Sequence, residues 1–195
     1  AVDFEYRAVP LFMQTKRILL EGVIGDPWLI KFDWLMSSRA NQSRPWNWYS
    51  QSEKGGGVIG ALGTHAFDIL HWLFGPTNNV NGLISTSIKE RTDVTTGKLC
   101  KVSSEDIALA QMQLKGINSE DFIPAQVSLS SVSQQGRGCW IEIYGSEGTL
   151  ILGSDNQKDY VHGFGLWLTK SGEQPKAISP DKDLIFEKTW TDGRI

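Results

Sequence analysis

The run from Gly55 to Pro76 constrains the fold more than any other stretch of the chain. It opens Gly55-Gly56-Gly57, continues through Val58 to Phe74, and stops at Gly75-Pro76. Glycine tolerates the left-handed cap and proline cannot continue a helical ladder, so the pair ends a helix. Between the glycine turn and that stop, a 3.6-residue period puts Leu62, Ala66, Ile69, Leu70 and Leu73 on one face, a core stripe. Ala61, His65, Asp68 and Trp72 follow the margin of the stripe. His65 and Asp68 are three apart, hence neighbours on the helix surface. A histidine beside a carboxylate at the edge of a buried face is a candidate acid–base site. The other reading of Asp68 is a surface carboxylate paired with a nearby Arg or Lys. His71 points about a third of a turn away from His65, so the two make neither a dyad nor a metal site, and no metal is expected.

The rest of the chain supplies two textures. Before the glycine turn, Phe4 to Val9 reads as a short strand. Pro10 then opens a helix, whose apolar face is Leu11, Thr15, Ile18 and Leu19, and Gly22 to Pro27 closes it. Trp28, Ile30, Phe32, Trp34 and Met36 alternate with Lys31 and Asp33, which predicts a half-buried strand. Ser37 to Lys54 is a long polar loop carrying Arg39, Arg44, Trp46, Trp48 and Tyr49. After Pro76 the pattern turns to strands: 81–88, 106–114, 125–132, 138–144, 149–152, 164–169 and 184–190. The polar stretch 89–104 reads as an exposed excursion. Short glycine turns between strands predict antiparallel hairpins. The fold class expected is therefore α+β: an open, mostly antiparallel sheet with helices packed on one face.

Composition removes several functions. With 19 basic and 22 acidic residues the net charge is −3, which provides no field for nucleic acid and no polybasic membrane anchor. No apolar run approaches the ~20 residues of a membrane span. Cys100 and Cys139 are too few for a disulfide framework, and they read as reduced thiols of a cytoplasmic protein. The length suits one domain, 1–195. The abrupt ends, Ala1-Val2-Asp3 and Gly193-Arg194-Ile195, read as cuts through a longer protein. Gly55-x-Gly57-x-x-Gly60 matches a dinucleotide fingerprint formally. That fingerprint needs a buried strand directly before it, and Trp48 to Lys54 is not one. The glycines are read instead as a sharp turn and close packing.

Several motifs in order resemble the C-terminal domain of the glucose–fructose oxidoreductase / inositol dehydrogenase / MocA family. They are Asp3-Phe4-Glu5-Tyr6-Arg7-x-x-Pro10 running to Lys16 and Gly22-x-Ile24-Gly25, and the tryptophan-rich loop ahead of Gly55. The most specific is Gly63-Thr64-His65-Ala66-Phe67-Asp68-x-x-x-Trp72-Leu73-x-Gly75; a weaker one is Ile143-Tyr144-Gly145-Ser146-Glu147-Gly148-Thr149. The resemblance covers about residues 3–152. It implies a dehydrogenase that transfers hydride between NAD or NADP and a sugar, polyol or related hydroxy compound. A Rossmann domain, absent from this chain, would hold the cofactor, so none is expected tightly bound here. The resemblance makes His65 the catalytic acid/base or hydrogen-bonding histidine and sets Asp68 beside it as an orienting or substrate-binding carboxylate. Thr64 is a candidate substrate contact, and Trp48 and Tyr49 are candidate pocket walls whose other reading is core packing or an interface. Arg7 and Lys16 would either meet the cofactor domain or serve structure. Many members carry an aspartate four residues before the histidine, where this chain has Ala61. That departure keeps open a second reading, a non-catalytic binding or assembly module. Homo-oligomerisation through the uncovered sheet face is expected, because apolar residues occupy both faces of 125–132 and 138–144.

Overall fold

The computed structural model describes residues 3–116, 121–158 and 163–186. Its helices are α1 (Pro10–Leu20) and α2 (Thr64–Phe74). Its strands are β1 (Pro27–Leu35), β2 (Thr77–Ser85), β3 (Glu90–Thr92), β4 (Leu99–Lys101) and β5 (Ile107–Lys115), then β6 (Phe122–Ser130), β7 (Gly138–Gly145), β8 (Gly148–Ser154), β9 (Gly165–Lys170) and β10 (Lys176–Ile178). Eight strands form one sheet in the order β10-β9-β8-β7-β1-β6-β5-β2, and β3 and β4 form a separate hairpin. Among the described residues, only β1 and β6 run parallel; the other pairs in the sheet are antiparallel. The expected α+β class is what the chain adopts.

One row across the sheet shows how it is covered. Ile178, Leu166, Leu152, Ile141, Phe32, Val127, Ala110 and Gly82 are successive register partners. Leu152, Ile141 and Phe32 are wholly buried, with Leu166 and Val127 nearly so. Phe12 of α1 and Ala66, Ile69, Leu70 and Leu73 of α2 join them in one core. Side chains alternate along a strand, so the next row belongs to the opposite face. It reads Ala177, Trp167, Ile151, Glu142, Lys31, Gln126, Gln111 and Asn81. That face is aromatic on the β7–β9 side; on the β6–β2 side Gln126, Ser128, Gln111 and Asn81 share it with the exposed Leu109 and Leu83. The expectation of apolar residues on both faces of 125–132 is corrected here: Gln126 and Ser128 face away from the helices.

Three local expectations are also corrected. Phe4 to Val9 is not a strand; Glu5–Ala8 is a 3₁₀ turn. Tyr6 and Val9 are buried at a spacing of three, which suits that turn. Trp28 is 64 % exposed, because the register shifts between Pro27 and Leu29 and drops it out of the alternation. Leu184 ends a 3₁₀ turn, Lys182–Leu184, rather than opening a strand; positions 187–190 lie outside the described residues. The excursion at 89–104 contains the β3–β4 hairpin.

Candidate active site

The glycine turn enters α2 through a widened turn, Ile59–Gly63, in which the Thr64 N–H reaches back five residues to the Ile59 carbonyl. Such π turns recur at functional sites. The core stripe is as predicted at Ala66, Ile69, Leu70 and Leu73, all wholly buried. Leu62 lies inside the wide turn and is half-buried, because the extra residue rotates it off the stripe. Ala61, His65, Asp68 and Trp72 are all half-buried, which is the margin position expected of them.

His65 sits in the first turn of α2 and is bracketed by two rings from the 3₁₀ segment. Phe4 meets it edge-on with centroids 5.8 Å apart, and Tyr6 does so at 5.4 Å. Tyr6 also packs on Phe12, Trp34 and Phe164, so the imidazole is registered against the core. Its Nδ1 is buried and has no hydrogen-bond partner among the described residues.

Asp68 is held by Arg7. The guanidinium donates through Nε to Oδ2 at 2.8 Å and through Nη2 to Oδ1. The Asp68 side chain is 8 % exposed and that of Arg7 is 46 % exposed. The hydrogen bond to Asp68 pushes the Arg7 pKa up. One turn further, the Lys16 ammonium lies 4.6 Å from the centre of the Trp72 ring. Its burial, and then the charge of Arg7, push the Lys16 pKa down. Thr64 is exposed and donates to the Gly60 carbonyl at 3.3 Å. His71 is turned away, as predicted, to Thr77, 2.7 Å from its hydroxyl.

Trp48 and Tyr49 lie in a 3₁₀ turn, Trp48–Ser50. Trp48 is 52 % exposed and packs edge-on against Tyr49 at 5.7 Å. Tyr49 is buried, and the Arg39 guanidinium stacks over its ring at 4.1 Å. Burial pushes the Tyr49 hydroxyl up. Sequence reasoning missed the Arg39 stack and the Phe4 and Tyr6 bracket. It weighed Arg7 and Lys16 without finding their partners, although the sequence carried a clue to Arg7 in its place beside Tyr6 ahead of Pro10.

The glycine fingerprint does not fit a pyrophosphate. A 3₁₀ turn, Ser52–Lys54, precedes it instead of a strand. The N–H of Ile59 donates to Glu105 Oε1 at 2.8 Å. A carboxylate therefore already holds the position a phosphate would need, and it would repel one. Among the described residues, no cluster of three His, Cys, Asp or Glu side chains could hold a metal ion. Among the described residues, too, no helix is long and apolar enough to cross a membrane.

The profile of an oxidoreductase family, C-terminal alpha/beta domain, matches residues 16–194. An uncharacterized oxidoreductase of Synechocystis sp. is 45% identical over 194 residues, covering 99% of this chain and 51% of its own length. Levoglucosan dehydrogenase of Pseudarthrobacter phenanthrenivorans is 33% identical over 91 residues, 46% of this chain and 23% of that enzyme. A structure of levoglucosan dehydrogenase in complex with NADH and levoglucosan superposes with a TM-score of 0.74 at 22% identity, over 90% of this chain and 45% of the other. A super-repressor mutant of Gal80p from Saccharomyces cerevisiae superposes with a TM-score of 0.72 at 20% identity, over 90% and 47%. The chain spans about half the length of the Synechocystis relative, and less of the dehydrogenase.

Proposed function

This chain belongs to the glucose–fructose oxidoreductase / inositol dehydrogenase / MocA oxidoreductase family as a C-terminal α/β domain, and we propose that it is the substrate-binding half of an NAD(P)-dependent dehydrogenase acting on a sugar, polyol or related hydroxy compound. An N-terminal Rossmann domain of the full-length protein would hold NAD or NADP, since this chain's own glycine turn is closed to phosphate. When bound there, the nicotinamide supplies hydride transfer; this chain's part is the proton and the substrate. His65 takes the hydroxyl proton as the carbinol carbon is oxidised, or donates a hydrogen bond to the carbonyl oxygen. Asp68, fixed by Arg7, holds a carboxylate one turn along on the same margin. Thr64, Trp48 and Tyr49 supply polar and aromatic contacts of the kind a sugar-sized ligand uses. The observation that carries this reading is His65 itself: a registered imidazole at the rim of the core, bracketed by Phe4 and Tyr6.

Full-length protein assayed on sugars and polyols with NAD(P) tests it. Turnover is expected, and His65→Ala should lower kcat by ~10²–10⁴-fold, the usual contribution of a general acid–base group. Absence of turnover, or turnover indifferent to His65→Ala, overturns the reading. Ala61, at the place of the family carboxylate, favours the second reading, a non-catalytic binding or assembly module. An upstream region without a glycine-rich dinucleotide fingerprint would select that module. The enzyme is proposed to be cytoplasmic and to self-associate through the sheet face that carries Trp140, Tyr144 and Trp167.

A further inference from the structure

Arg91 is buried, at 7 % exposure. It sits in the middle of the three-residue strand β3, in a stretch that reads as solvent-exposed. Its guanidinium donates to main-chain oxygens of the tryptophan-rich loop: Nη1 to Asn41 at 2.8 Å and Arg44 at 3.3 Å, and Nη2 to Arg39 at 2.6 Å. Burial pushes its pKa down, and the charge of Arg44 pushes the same way. A buried cation is costly unless its donors are met, and here they are met by the carbonyls of a loop whose ends lie in other elements.

The hairpin that carries Arg91 grips the same loop along its length. Trp46 N–H donates to the Thr92 carbonyl and its indole Nε1–H to the Lys101 carbonyl. Ser103 N–H donates to the Ser50 carbonyl, and the Ser104 hydroxyl to the Tyr49 carbonyl at 2.6 Å. The root of the hairpin is fixed too, where Asp106 accepts N–H bonds from Ser87 and Ile88. Arg39 links this grip to the site. Its carbonyl takes the Arg91 bond, its N–H donates to the Ser131 carbonyl, and its own guanidinium lies over Tyr49.

We propose that Arg91 is a positioning residue for substrate: the β3–β4 hairpin is a strap, and Arg91 staples residues 39–44 so that Arg39, Tyr49 and the exposed Trp48 are presented as one rigid wall. This rests on the reading above that Trp48 and Tyr49 line the substrate site. The strap touches substrate only through that wall, so it governs substrate binding rather than the proton at His65. Lysine offers a single ammonium in place of the planar fork and cannot reproduce all three bonds.

The test uses full-length protein with Arg91→Ala, Arg91→Lys and Trp48→Ala. Backbone hydrogen exchange in 39–50 should quicken in both Arg91 variants, while exchange in 64–74 stays as in the parent. The KM for the sugar or polyol should rise about tenfold in each, with kcat within about threefold and the KM for the nicotinamide cofactor unchanged. Trp48→Ala should raise the same KM and leave exchange in 39–44 unaltered. Unchanged loop exchange overturns the staple. Faster exchange with an unchanged substrate KM overturns the positioning role. If Trp48→Ala leaves KM alone, the wall reading itself falls, whatever the Arg91 variants do. Should Arg91→Ala fail to fold, Arg91→Lys carries the same comparison.

Discussion

The Arg7–Asp68 pair ties the segment that brackets His65 to the helix that carries it, and its two partners are unequally buried. That inequality predicts unequal mutants. The Arg7 side chain is 46 % exposed and the Asp68 side chain 8 %. Asp68→Asn removes the charge from the buried side and leaves Arg7 free to turn into water. The loss is then close to that of one charge-assisted hydrogen bond on a half-exposed donor, about 1 kcal/mol. Arg7→Ala is different, because it strands a buried carboxylate that has lost both donors of a bidentate fork. The desolvation cost of the unpaired acid then adds, giving about 2–3 kcal/mol. For a chain of this length, each kcal/mol moves Tm by roughly 2–4 °C. Urea melts of the two single variants, with m held equal, measure the difference directly. Arg7→Ala should unfold at clearly lower urea than Asp68→Asn. Equal midpoints, or the reverse order, would refute the assignment of Asp68 as the buried partner.

Other substitutions read other parts of the molecule. The Trp140 ring lies flat across Gly153, its register partner on β8, so a methyl at Gly153 would run into the ring. Gly153→Ala should cost about 1–3 kcal/mol by overpacking and alter the near-ultraviolet signal of the stacked Trp140–Trp167 pair. Gly82→Ala is the control: its methyl would meet only the Leu109 carbonyl at 3.5 Å, so its urea midpoint should barely move. Glu142 is held below the ordinary 4.5 chiefly by the Tyr144 hydroxyl, then by Arg137 and Lys31. Because the folded value is depressed, its stabilisation is complete above about pH 4.5 and fades as pH falls through the folded value. The stability difference between parent and Glu142→Gln should therefore shrink on acidification below pH 4.5, and a difference independent of pH would count against the network.

Much of the fold was legible because its signals are local. α1 follows from Pro10 and an apolar face, and β1 from the alternation of Ile30, Phe32, Trp34 and Met36. Strands β5 to β9 follow from runs bounded by glycine. The failures share a cause. Elements as short as β3, β4 and β10 have three residues each, too few to display a period. Trp28 obeys the alternation on paper, and only the partner strand β7 shows the bulge that ejects it. Phe4, Tyr6 and Ala8 alternate on paper as a strand would, and only the joint burial of Tyr6 and Val9 in the core shows the tighter 3₁₀ turn. The parallel pairing of β1 with β6 joins segments about ninety residues apart, and pairing at that distance is set by the whole sheet rather than by either strand.

The site divides along the same line. That His65 and Asp68 would lie on the margin of α2 was legible, since one helix and its own period decide it. What each does there is decided by residues far away in sequence: Arg7, 61 positions from Asp68, and Phe4 and Tyr6 at about the same distance from His65. The glycine fingerprint makes the point most sharply. Gly55, Gly57 and Gly60 satisfy the spacing of a phosphate cradle, and the helix they open has the N–H groups such a cradle uses. The discriminating group is Glu105, 46 residues downstream, whose carboxylate takes the Ile59 N–H. An anion site filled by the protein's own anion has its donors satisfied and its field cancelled. The turn thus works as an internal cap that anchors α2 to the start of β5.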